Sequence, residues 1–193
     1  MSTSADAVAR LFDRLHGDLE GPLAADRPDA ERIECVLRAV RESEPVIAKN
    51  VEGYRDYGGG IEIAEVHQSP EIVGMVVRLG PGATLEPHDH VGFVGGMTVI
   101  DGALTCADYA FVQGERPQGD ARVQLAAGGV RRFETGEQSM ILSDSGQIHR
   151  IEAGPEGAAF FDVYLMHQTP GSCLFMDVDD HLRARAAAEV SLE

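Results

Sequence analysis

Residues 82–102 read GATLEPHDHVGFVGGMTVIDG, and the fold is built around this stretch. Gly82 and Gly102 close its two ends, and between them His88 and His90 lie two residues apart in strand-like surroundings. Successive side chains of a β-strand point to opposite faces, so the two imidazoles project together while Asp89 turns away, to the surface or behind the ligand rings. One metal ion can take both rings. A third histidine, His149, follows Asp144-Ser145-Gly146-Gln147-Ile148, where a glycine-containing turn leads into an apolar, alternating run. Neutral imidazole binds Zn, Fe, Ni and Cu, so three rings on neighbouring strands make a facial set with open positions beside it. A lone histidine is more often structural; the paired spacing inside a glycine frame makes these three candidate ligands.

Outward from this stretch the chain is a succession of short apolar or alternating runs. They are IEIAEVH (61–67), EIVGMVVRL (71–79), FVGGMTVI (93–100), ALTCADYAFV (103–112), ARVQLA (121–126), SMILS (139–143), HRIEA (149–153), AAFFDVYLM (158–166) and SCLFMDV (172–178). Their composition and the regular Gly, Pro and Asp punctuation predict an all-β sandwich or barrel. Two helices precede it. Residues 4–20 carry Val8, Leu11, Phe12, Leu15 and Leu19 at helical spacing, and Asp29 opens a second stripe of Ile33, Val36, Leu37 and Val40. The segment Pro22–Pro28 connects them, and both stripes are expected to pack on the barrel. Gln113–Asp120 (QGERPQGD) reads as a flexible loop, and residues 180–190 (DHLRARAAAEV) as a short terminal helix. The expected organisation is a helical segment over 1–50 packed on a β-barrel domain over 51–193.

Composition sets outer limits. A chain of 193 residues with 44% hydrophobic content buries an ordinary core. Its apolar runs fall short of the roughly 18 residues that span a bilayer, and MSTSADAVARLFDRLHGD is too charged for a signal peptide, so a cytoplasmic location is expected. Cys35, Cys106 and Cys173 are widely spaced and form no disulfide framework, which suits reduced thiols. The net charge of −16, from 32 acidic and 16 basic residues, repels phosphates and anionic membranes. Neither nucleic acid nor membrane is expected as a partner.

The motif residues resemble the cupin superfamily. Its first motif runs Gly, five residues, His-x-His, three or four residues, Glu, six residues, Gly; Gly82, His88, His90 and Gly102 fall in place, while the Glu position is Gly95. Losing that carboxylate leaves three neutral histidines, a pattern similar to the thiol dioxygenases: the cysteamine dioxygenase, mercaptopropionate dioxygenase, plant cysteine oxidase and cysteine dioxygenase group. His88-Asp89-His90, Gly92 and Met97-Thr98-Val99 look like the first motif of the cysteamine and plant cysteine oxidase branch. Gly146-Gln147-Ile148-His149 and Phe161-Asp162-Val163-Tyr164 look like its second. The resemblance covers about residues 60–170. It implies a mainly β fold, the cupin double-stranded β-helix or jelly-roll barrel, here with two N-terminal helices and the short C-terminal one.

It also implies chemistry. His88, His90 and His149 would hold Fe(II), with Zn, Ni, Mn or Cu able to occupy the site on isolation. The partners would be a small thiol and O2, and the product a sulfinate. Asp162 and Tyr164, which share a strand face with Phe160, become the candidate catalytic residues: the tyrosine as a hydrogen-bond donor to oxygen or substrate, the aspartate as a holder of a substrate ammonium or a water. The cysteine-type enzymes carry Ser-x-His-x-Tyr, of which only Tyr164 is present, and Gly95 offers no cysteine for a crosslink to it. His67 reads as a surface residue, and His16, His167 and His181 receive no ligand role. Two other readings share the same three histidines: a cupin dioxygenase that cleaves a carbon–carbon bond in a β-dicarbonyl, and a non-catalytic cupin that binds a metal or small molecule. Either a monomer or a homodimer fits.

Overall fold

The computed structural model describes residues 4–47, 51–112, 122–123, 125–141, 148–166, 174–176 and 182–186. Two helices come first, α1 (Ser4–Asp18) and α2 (Asp29–Ile47). The strands follow as β1 (Arg55–Gly58), β2 (Ile61–Gln68), β3 (Ile72–Leu79), β4 (Thr84–His88), β5 (Phe93–Phe111), β6 (Arg122–Val123), β7 (Leu125–Glu134), β8 (Gln138–Ile141), β9 (Ile148–Met166), β10 (Leu174–Met176) and β11 (Leu182–Ala186). All pairings are antiparallel and follow the order β1-β2-β3-β9-β4-β10-β11-β6, with β5 pairing β7, β8 and β9. This is the mainly β jelly-roll architecture expected. No described helix is long and apolar enough to cross a membrane.

The frame consists of β5 and β9, each 19 residues long and paired along most of their length. The C-terminal half of β9 lies between β3 and β5, its N-terminal half between β4 and β5. Two apolar runs read as separate strands therefore form one strand in each case. At Asp101-Gly102 and Gly154-Pro155-Glu156-Gly157 the chain bends without reversing, and register shifts fall at Val99/Asp101 and Gly102/Leu104. Bulges of this kind let one strand serve two walls of a barrel. Gly102 has φ of 70°, and a Cβ there would strike the carbonyl of Gly157, so only glycine fits the corner.

The strand period of two sorts β9 into faces. Phe160, Asp162 and Tyr164 face inward, while Phe161, Val163 and Leu165 face the helices. Val77, Met97, Val99, Leu104, Cys106, Phe133, Ile151 and Phe160 fill the barrel interior. Leu11, Phe12, Leu15, Ile33, Val36, Leu37 and Val40 meet the outer face, so the helical stripes pack as expected. Close approach is made possible by Gly74 and Gly96, whose absent Cβ atoms leave room for Phe12 and Leu37 respectively. Gln138 Nε2 donates to the Leu37 carbonyl (2.9 Å) and to Thr98 Oγ1 (2.8 Å), tying α2 to the sheet.

The terminal helix is corrected. Within residues 180–190, Leu182–Ala186 is strand β11, paired with β10 and with β6. An Ala- and Arg-rich run favours helix by only tenths of a kcal/mol per residue, about what a strand partner on each side outweighs. Residues 180, 181 and 187–190 lie outside the described residues, as do the Gln113–Asp120 loop and the turn residues Asp144–Gln147.

Candidate metal centre

Strand β4 ends at His88, whose Cα is the direct partner of His149 on β9. His90 lies just past the strand end, and the three rings converge. His149 Nε2 stands 3.1 Å from His88 Nε2 and 3.2 Å from His90 Nε2, with ring centroids 4.6–5.0 Å apart. All three are buried. Among the described residues this is the one group of three side chains placed to hold a metal ion.

The protonation pattern suits ligands. His88 Nδ1 donates to the Glu86 carbonyl at 2.7 Å, which fixes the tautomer and leaves Nε2 with its lone pair. Burial, the largest cause, holds His88 below the usual imidazole range; the Glu86 bond and Asp89 pull the other way. For His90 burial again leads, followed by repulsion from His88 and His149, and the ring lies well below that range. His149 behaves likewise, through burial, then His88, then the Arg131 charge. Three neutral rings therefore meet at their Nε2 edges. One shared proton cannot satisfy two contacts at His149 Nε2, whereas a cation can. Bonds of about 2.1 Å at right angles place nitrogens about 3.0 Å apart, and tetrahedral ones about 3.4 Å, which brackets the observed spacing.

Asp89 is corrected. It is 2% exposed, so the surface reading fails.

Tyr164 and Asp162 line the interior wall. The Tyr164 ring stacks on His90 (centroids 5.3 Å, 26°) and meets Phe93 edge-on at 5.7 Å. Its hydroxyl donates to Asp162 Oδ2 at 2.9 Å, while Asp162 Oδ1 is buried with no hydrogen-bond partner among the described residues. Burial pushes the Asp162 carboxyl up to about 7, against the opposing pull of the tyrosine bond. Position 95 explains the missing carboxylate. A Cβ on Gly95 would sit 2.3 Å from the Val163 carbonyl oxygen and 2.9 Å from Tyr164 Cδ1, so the β9 backbone and the tyrosine ring together occupy the space a side chain there would need.

Two neighbours carry no signal in the sequence. Asp108 pairs directly with His149 across β5 and β9, and Arg131 reaches it at 3.4 Å. Cys106 Sγ lies 4.0 Å from Asp108 Oδ1, and burial, then Asp108, pushes this thiol up to about 12, so it stays protonated. Both sit in an ordinary alternating run, and only pairing with β9 places them beside the centre. His67 packs instead against His16 on the outer face, 3.0 Å between Nε2 atoms, and is half-buried rather than superficial. An open cavity of about 510 Å³, lined in part by Asp56, Glu62, Arg78, Asp101 and Glu156, includes none of the three histidines. His167 and His181 lie outside the described residues.

No family model and no curated protein matches the chain. Its similarities are to solved structures. KdgF from Halomonas sp. is 19% identical with a TM-score of 0.46, over 61% of this chain and 89% of that one. A sugar phosphate isomerase from a cupin superfamily, from Silicibacter pomeroyi, is 19% identical with a TM-score of 0.46 over 67% and 78%. Oxalate decarboxylase from Bacillus subtilis is 24% identical with a TM-score of 0.43, over 60% of this chain and 27% of that one.

Proposed function

We propose that this protein is an Fe(II)-dependent dioxygenase that oxidises a small thiol to its sulfinate, both oxygen atoms of O2 passing to sulfur. The observation that carries the reading is the donor set: three buried neutral imidazoles, with the space at Gly95 taken by the Val163 carbonyl and Tyr164. His88, His90 and His149 would hold the ion. With no carboxylate ligand, bound Fe(II) keeps its full double positive charge, favours a thiolate beside it and supplies the redox chemistry for O2.

The chain's own residues supply orientation and dryness. The Glu86 carbonyl holds the His88 ring by its Nδ1 proton, and the Tyr164 face holds His90. Phe93, Ile141 and Val73 pack around Tyr164 and keep water from it. Asp162 accepts the tyrosine hydroxyl proton through Oδ2, which sets where the phenol oxygen points. Its second oxygen, buried and without a hydrogen-bond partner among the described residues, would accept from a substrate ammonium or a water. A carboxyl titrating near neutrality both accepts and returns a proton there.

The test is reconstitution of the stripped protein with Fe(II) under anaerobic conditions, followed by oxygen uptake with cysteamine, cysteine, mercaptopropionate and acetylacetone. Uptake with one or more thiols, one O2 per sulfinate formed, is expected. Uptake with acetylacetone alone would replace the thiol reading by carbon–carbon cleavage, and none with any compound would leave a binding protein.

A further inference from the structure

We propose that His16 and His67 form a second metal site, separate from the three-histidine centre, which takes a borderline divalent cation such as Zn²⁺ or Ni²⁺ and ties α1 to β2. Their Nε2 atoms lie 3.0 Å apart across 51 residues of sequence, close to the spacing of the Nε2 pairs in the centre. At bonds of about 2.1 Å this is the distance across a right-angled pair of ligands.

The local structure presents both rings. A β-bulge between Glu65 and His67 puts His67 opposite Gly74, and bulges re-aim side chains in this way. Because Gly74 has no side chain, the buried Phe12 ring lies over it and stacks on His67, 4.0 Å between centroids and 8° from parallel. His16 follows Phe12 by one helical turn and so shares its face of α1. Both histidines are half-buried, so part of the pair's surface meets water. The charge of Asp13, exposed and three residues before His16 on the same helix, acts on His67. Burial and the neighbouring His16 hold His67 below the usual imidazole range, so its lone pair is available at neutral pH. A proton shared between the rings ties them by one hydrogen bond; a cation replaces it with two ligand bonds.

The site does not depend on the oxidation chemistry, and its test does not read activity. Metal-stripped protein is titrated calorimetrically with ZnCl2. The wild type is expected to show two classes of site, and His16→Gln and His67→Gln each to weaken the second class at least tenfold while keeping the first. Zinc should also slow amide exchange in residues 5–18 of the wild type and not of the variants. A single class in the wild type, or a second class unchanged in both variants, would overturn the proposal. If a variant fails to fold, the difference between electron paramagnetic resonance spectra at one and two equivalents of Cu²⁺ on the wild type decides. Two imidazole nitrogens on the second ion support the site, and fewer overturn it.

Discussion

His149 reaches the centre from the start of β9, its Cα opposite that of His88, so removing its ring takes away the donor that contacts both others. His149→Ala is expected to lower iron content from near one equivalent to under about a tenth, measured by elemental analysis on protein with unchanged circular dichroism. Full occupancy in the variant would remove the triad. Asp162 offers a pH signature. Its carboxyl moves from 3.8 to about 7 on folding, so the native state binds the extra proton between those values. Stability contributed by this group therefore falls as pH rises from about 4 to 7 and levels off above. Asp162→Asn removes the dependence: variant and wild-type unfolding free energies from urea melts should diverge across that window in the variant's favour, by at most about 4 kcal/mol. Parallel profiles would show that the carboxyl is not displaced. Gly95→Ala tests the close approach of β5 to the Val163 carbonyl and Tyr164 on β9 and should cost roughly 1–3 kcal/mol by denaturant melt, with metal content reduced as the tyrosine is pushed on His90.

At the scale of elements, the helices are legible because an apolar stripe at 3.6-residue spacing has one use, and Leu11, Phe12, Leu15, Ile33, Val36 and Val40 are all buried on the sheet. What they press against is not local. Gly96 is an ordinary glycine in the sequence, yet α2 can dock only because position 96 carries no side chain under Leu37. Gly96→Val is expected to lower unfolding free energy by roughly 2–4 kcal/mol while leaving Nε2 geometry intact, read as a lower urea midpoint with iron content retained. Strands are legible by composition but not by extent. β5 and β9 each join two runs across glycines that usually mark turns, since a bend and a reversal use the same residues. The terminal segment departs from expectation for a related reason: helix propensity is a weak preference, and β10 and β6 supply partners from elsewhere in the chain.

For the whole molecule, the charge of −16 spread over 193 residues opposes the compact state. Raising NaCl from 10 to about 300 mM should therefore increase the melting temperature of the metal-free protein by a few degrees, by scanning calorimetry, because the screening length shrinks from about 30 Å to under 8 Å. A flat or falling trend would mean that attractive pairs such as Arg14–Glu42 outweigh the repulsion. The β class, the two amphipathic helices and the pairing of His88 with His90 were available from residue order, since each rests on a periodicity within a few positions. Neither the meeting of His149 with those two rings, the filling of the Gly95 space by the Val163 carbonyl and Tyr164, the burial of Asp89 nor the contact of His16 with His67 had such a signature. Those depend on strand register and on how the barrel closes, which bring together positions 51 to 69 residues apart, and no spacing along the chain encodes that distance in space.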